Sequence, residues 1–143
     1  MAEAERLAAF VTGAGSGIGR ATARRLARDG YWVGAFDIDP NGVEGTVDGI
    51  IAAGGQAVGF GGDVRDEMAV KSALEALAKA ARLWLVANVA GIGVAATVVE
   101  TTDEQWQRVI SVNVGDRGTA QPSVSRVEFA SSNRRIARHS VVG

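Results

Sequence analysis

The stretch Thr12-Gly-Ala-Gly-Ser-Gly-Ile-Gly19 sets glycines at positions 13, 15, 17 and 19, directly after an apolar run. Backbone without Cβ atoms turns through positive φ and lets a ligand approach closely. Where such a turn feeds a helix, main-chain N–H groups and the helix dipole together favour an anion. Phosphate binding is the chemistry on offer, and an empty glycine turn is the plain alternative. Spacing narrows the choice. A P-loop needs G-x-x-x-x-G-K-[ST], but position 20 is arginine. The G-x-G-x-x-G spacing fails because Ile18 stands where its third glycine would fall. What fits is T-G-x-x-x-G-x-G, from Thr12 through Gly13, Gly17 and Gly19.

Asp37 follows the loop by about 20 residues, where a carboxylate can accept hydrogen bonds from ribose hydroxyls. It would also repel a 2′-phosphate, and no basic residue stands beside it in the sequence. Asp39 shares its strand face and is the rival, unless it serves the turn at Pro40. Proton-transfer groups are sparse. Tyr31 is the only tyrosine, Lys71 and Lys79 are the only lysines, and no Y-x-x-x-K exists. His139, the sole histidine, has no metal-ligand or triad company, so no metal site is expected. Without cysteine, disulfides and thiolate sites are excluded.

Elements that could position these groups alternate strictly. Leu7–Thr12 reads as a buried strand, and Ile18 to Asp29 as a helix. In that helix Ile18, Ala21, Leu26 and nearby alanines supply the apolar face, with Arg20, Arg24, Arg25 and Arg28 towards solvent. Residues 31–39 form a second strand. Residues 43–53 form a weaker helix with Val43, Val47, Ile50 and Ile51 on one face, in which Gly45 and Gly49 each cost about 1 kcal/mol. A third strand spans 56–64, and the best helix spans 66–81, stacking Leu74, Leu77, Ala78 and Ala81. A fourth apolar strand covers 83–91. Thr102-Asp-Glu-Gln105 is a capping box opening a helix with Trp106, Val109 and Ile110. This order predicts an α/β fold with a parallel sheet.

After Val114 the pattern changes. Residues 1–114 carry 10 Lys and Arg against 14 acids, whereas 115–143 carry 5 arginines against 2 acids. The later stretch lacks sustained periodicity and contains Pro122, so it is expected to be loosely ordered. Its arginines have no aromatic interleaving, which argues against nucleic-acid binding. No apolar run approaches the roughly 20 residues of a membrane span. The N-terminus has acids where a signal peptide would be basic, so a cytoplasmic location is expected.

Together the loop, Asp37, Asp63-Val64 after the third strand, "NVAG" over 88–91 and "WQRVISVN" over 106–113 resemble the short-chain dehydrogenase/reductase family. The resemblance covers residues 7–114 and implies a Rossmann-like, doubly wound parallel sheet, truncated after about four strands. It implies coenzyme contacts from Gly13, Ser16, Gly17, Ile18, Gly19, Asp37, Asp63, Val64, Asn88, Ala90 and Gly91. NAD is favoured over NADP by Asp37. "NVAG" departs from the family's N-N-A-G, with Val89 replacing an Asn. Asn113 matches the asparagine that holds a water in the family's proton relay. "RVEFASS" over 126–132 is the loosest match. On it, a short fifth strand falls near 126–131 and Ser132 orients substrate.

In the family, a Tyr transfers the proton as hydride moves, and a Lys four residues later lowers the Tyr pKa. This sequence lacks that pair, so the chain alone is expected to be inactive. The domain reading is a dinucleotide-binding half over 1–114 and a divergent basic tail over 115–143, as a disrupted reading frame would produce. A non-catalytic dinucleotide-binding or interaction module, completed by a partner chain, stays open. An exposed sheet edge is expected to drive self-association or aggregation.

Overall fold

The computed structural model describes residues 5–97 and 99–126. Strands β1 (Leu7–Thr12), β2 (Trp32–Asp37), β3 (Gln56–Gly61) and β4 (Arg82–Ala87) alternate with helices. These are α1 (Gly17–Arg28), α2 (Pro40–Ala52), α3 (Glu67–Ala80) and α4 (Asp103–Arg126). All strand pairings are parallel, in the order β3-β2-β1-β4. The expected Rossmann-like α/β sheet is therefore present. The order runs outward from β1 through β2 to β3, then returns to the other side of β1 for β4. That reversal opens a crevice beyond the carboxyl ends of β1 and β4, where open α/β sheets bind ligands.

The central strands are apolar without alternation because both faces are covered. Phe10 and Phe36 point to one face and pack with Val70, Leu74 and Leu77 of α3. The Phe10 ring lies 5.6 Å from that of Phe36 and 6.4 Å from that of Phe60. Val11, Val33 and Ala35 point to the other face, against Ala23 of α1 and Val43 and Ile50 of α2. Gly34 makes room for this core, since a Cβ there would come within 2.7 Å of Leu77.

Several sequence expectations change. Helix α1 buries Gly19 and Ala23, while Ile18 is 77 % exposed and Ala21 also faces water. The phase is set by Gly19, which must pass against the Gly13 carbonyl. Arg20 leaves the solvent side and reaches across to α2. Helix α2 begins at Pro40, with Asp39 as its N-cap accepting from the Asn41 N–H at 3.1 Å. It buries Thr46 among Val43 and Ile50 and leaves Ile51 outside. A Cβ at Gly49 would come within 3.0 Å of the Arg24 guanidinium, so the glycine there makes room for that α1 arginine, whereas one at Gly45 would only touch Arg20 at 3.9 Å. Strand β3 ends at Gly61, leaving Asp63 and Val64 in the following loop.

Thr102 and Gln105 form the expected capping box: the Gln105 N–H donates to Thr102 Oγ1 at 3.2 Å, and the Thr102 N–H to Gln105 Oε1 at 3.0 Å. Helix α4 continues past Val114, where the sequence pattern fades, as far as Arg126. Once a helix is nucleated, each further residue adds one bond, so Gly115 and Gly118 weaken it without ending it. Arg126, expected to open the fifth strand, instead ends α4, and the remainder of that stretch, with Ser132 and His139, lies outside the described residues. No helix among the described residues is long and apolar enough to cross a membrane.

Candidate functional site

Thr12 ends β1 fully buried, beside the end of β4. Its Oγ1 accepts from the Val89 N–H at 3.0 Å and the Ala90 N–H at 3.1 Å. One hydroxyl thus joins the end of β1 to the loop after β4. Thr12→Val keeps the shape but leaves two amide donors without this acceptor. We expect a loss of about 2 kcal/mol in urea unfolding, from the penalty for unsatisfied buried donors.

Gly13 turns the chain out of β1 at φ +66°, and a Cβ there would lie 2.8 Å from the Ala90 backbone. Gly17 opens α1 at φ +51°, and a Cβ there would meet nothing within 4 Å. Glycine at 13 therefore serves packing within the protein, whereas the space beside Gly17 is open for a ligand. Ser16 is the N-cap of α1 but makes no side-chain capping bond, and no acid stands in the first turn. Asp39 and Asp66, by contrast, cap α2 and α3. The helix end over the glycine loop thus lacks the side-chain cap that α2 and α3 carry.

Asp37 lies at the end of β2, next to this turn. Its Oδ2 accepts from the Gly15 N–H at 2.9 Å, and its Oδ1 from the Asp39 N–H at 3.0 Å. Two amides fix the carboxylate plane and leave further lone pairs for hydroxyl donors. The rival, Asp39, is committed to the α2 cap.

Asp63 is folded onto its own loop. Arg65 Nε lies 3.0 Å from both carboxylate oxygens, and the Arg65 N–H donates to Oδ1 at 2.9 Å. The side-chain hydrogen bond from Arg65 holds the Asp63 carboxyl below its usual range, against partial desolvation. Because the folded value is lowered, the pair supports the fold above the unfolded value of about 4. That support fades as pH falls through the folded value. Val64 is buried in the core on the α3 face, where a coenzyme contact was expected from the sequence.

Asn88 follows β4 with its Oδ1 buried and lacking a partner among the described residues. Gly91 passes below α4, where a Cβ would stand 3.1 Å from Asn113 Oδ1. Asn113 Oδ1 accepts from the Ile92 N–H at 2.8 Å, and its Nδ2 donates to the Ile92 carbonyl at 3.0 Å. Its amide mimics a strand partner and ties the loop after β4 to α4. Tyr31 precedes β2, at the end of the sheet away from the crevice. Arg20 and Thr46 were not singled out from the sequence as site residues, yet both bond the glycine loop. The available signal was a threonine at a core phase of α2. Among the described residues no cluster of His, Cys, Asp or Glu could hold a metal ion.

The short chain dehydrogenase family model matches residues 7–118. The chain is 36 % identical over 143 residues to the short-chain reductase protein NovJ of Streptomyces niveus, covering 99 % of this chain and 55 % of that protein. A short-chain dehydrogenase/reductase of Burkholderia phymatum, solved in complex with NAD, superposes with a TM-score of 0.80 at 31 % identity. That match covers 89 % of this chain and 46 % of the other. An actinorhodin polyketide ketoreductase variant with NADPH superposes at 0.79 with 28 % identity, covering 85 % and 47 %. The chain spans about half the length of these relatives. Its crevice, glycine turn and family match converge: the chain belongs to the short-chain dehydrogenase family of NAD(P)-binding oxidoreductases.

Proposed function

We propose that this chain binds NAD through its glycine turn and Asp37, and does not complete hydride transfer by itself. The observation that carries the reading is the uncapped α1 end over the open side of Gly17, with Asp37 fixed beside it. The residues fit the group. Ser16, Gly17, Ile18 and Gly19 would hold the pyrophosphate, and Asp37 the adenosine ribose. Asn88, Ala90 and Gly91 would flank the crevice on the β4 side. When bound, the dinucleotide supplies a nicotinamide that exchanges hydride with a carbonyl or alcohol.

NAD rather than NADP follows from charge. A 2′-phosphate at Asp37 would place negative charge against a carboxylate, and the nearby guanidinium of Arg20 is committed to Gly15, Gly42 and Thr46. Asn113 retains one N–H and one lone pair beyond its Ile92 bonds, enough to hold a water. No phenol–ammonium pair accompanies it in the sequence, since Tyr31 is the only tyrosine and no lysine follows at the fourth position. The proton step therefore has no tuned donor in this chain.

Calorimetric titration with NAD and NADP tests binding, with tighter NAD binding expected. Assays of NADH formation and consumption on an alcohol and ketone panel test the second half. Turnover by the purified chain would overturn the reading of its missing Tyr and Lys. A second reading, a module completed by another chain, is favoured by the outer edge of β4. That edge has no strand partner among the described residues, and Trp84 on it is 56 % exposed. Sedimentation of the purified chain separates the two readings: a stable monomer that binds NAD removes the need for a partner.

A further inference from the structure

The arm of the glycine loop farthest from β4 is held more fully than a ligand cradle alone requires. The Ala14 N–H donates to the Phe36 carbonyl at 3.1 Å, and the Ala14 carbonyl accepts from the Thr46 hydroxyl at 2.7 Å. The Gly15 N–H donates to Asp37 Oδ2, and the Gly15 carbonyl accepts from Arg20 Nη2. Every backbone polar group of Ala14 and Gly15 is thus tied to β2, α1 or α2.

Arg20 and Thr46 work as one unit. Arg20 Nε donates to Thr46 Oγ1 at 3.0 Å, which aims the hydroxyl hydrogen at the carbonyls of Ala14 and Gly42, 2.7 and 3.0 Å away. Arg20 Nη2 also reaches the Gly42 carbonyl at 3.4 Å. The approach depends on Gly42, where a Cβ would come within 2.6 Å of the Gly15 carbonyl. Thr46 is fully buried, so this is an internal brace and not a surface contact.

The brace has a consequence for the ligand side. A peptide is a rigid trans plane, so holding a carbonyl fixes the N–H at the other end. Thr46 on the Ala14 carbonyl sets the Gly15 N–H that locates Asp37. Arg20 on the Gly15 carbonyl sets the plane leading to Ser16, the N-cap of α1. Resting on the NAD-binding reading above, we propose that Arg20, braced by Thr46, is a positioning residue that holds the loop in register with Asp37 and so sets affinity for the adenosine half of the dinucleotide.

Calorimetry on the full chain with NAD and with ADP as separate probes tests this, alongside the urea stability of each ligand-free variant. Arg20→Met should weaken both ligands by about tenfold, the loss of a hydrogen bond or two. Arg20→Lys, which cannot span Thr46 and Gly15 together, should fall between. Thr46→Val should weaken both by about fivefold, and Thr46→Ser, which keeps the hydroxyl, should return them to within about twofold of the parent. The inference is overturned if Arg20→Met and Thr46→Val bind NAD within twofold of the parent while losing only stability. It is also overturned if Thr46→Ser binds as weakly as Thr46→Val. Failure of the parent chain itself to bind NAD would instead remove the underlying reading.

Discussion

Gly19→Val should abolish measurable NAD binding and lower folding stability by about 2–3 kcal/mol, the upper range for overpacking a close-fitted site. A Cβ at position 19 would overlap the Gly13 carbonyl oxygen. Gly13 cannot readily shift to relieve this, because its backbone runs close to that of Ala90, where even a Cβ would not fit. The substitution must therefore lift α1 from the loop and separate the helix end from Asp37. Gly17→Asn is the contrasting variant. Asparagine tolerates the positive φ and its Cβ would meet no protein atom within 4 Å, so it should fold with near-parental stability. It would nevertheless fill the space assigned to the ligand and weaken NAD binding by about tenfold or more, on the scale of one lost charge-assisted contact. Urea unfolding and calorimetry on the same preparations separate the two effects. If Gly19→Val binds NAD like the parent, the helix end is not the phosphate site.

Asp37→Ala should weaken NAD by about 10- to 100-fold, the loss of charge-assisted hydrogen bonds to ribose together with the released Gly15 N–H. NADP should weaken far less, because removing the carboxylate also removes its repulsion of the 2′-phosphate. The ratio of the two affinities is then the telling quantity, and it should move towards NADP. Asp39→Ala is the internal control. It removes the α2 cap, for about 1 kcal/mol of stability, and should leave the NAD-to-NADP ratio unchanged. A ratio that follows Asp39 instead would assign the ribose contact to Asp39 and overturn the role given to Asp37.

The sheet was legible because β1 and β2 are short apolar runs bounded by glycine and aspartate, and α3 carries an unbroken helical period. Thr102 and Gln105 declared the start of α4 through a four-residue pattern that acts locally. Gly13, Gly17 and Gly19 were found by spacing, but spacing did not reveal that they do different work. Two meet neighbouring backbone, and one faces open space. The first turn of α1 was read out of phase because Ile18 is a stronger apolar signal than Gly19, whereas Ala23, Leu26 and Ala27 pack on the sheet as expected. Arg20 looked like a solvated charge for the same reason. Its partners, Thr46 and the Gly15 and Gly42 carbonyls, are set by the packing of α1 on α2, which no local periodicity encodes.

The hydroxyl of Thr12 meets amides 77 and 78 positions later in the chain. During synthesis, then, the first strand and its glycine turn emerge long before the segment that completes them. Closing so long a loop is entropically expensive and slow, so the cradle matures only when the fourth strand docks. A dinucleotide that recognises the finished cradle would stabilise that last step by mass action, raising the chain's melting temperature with ligand concentration. On the proposed reading, the coenzyme would double as a folding ligand.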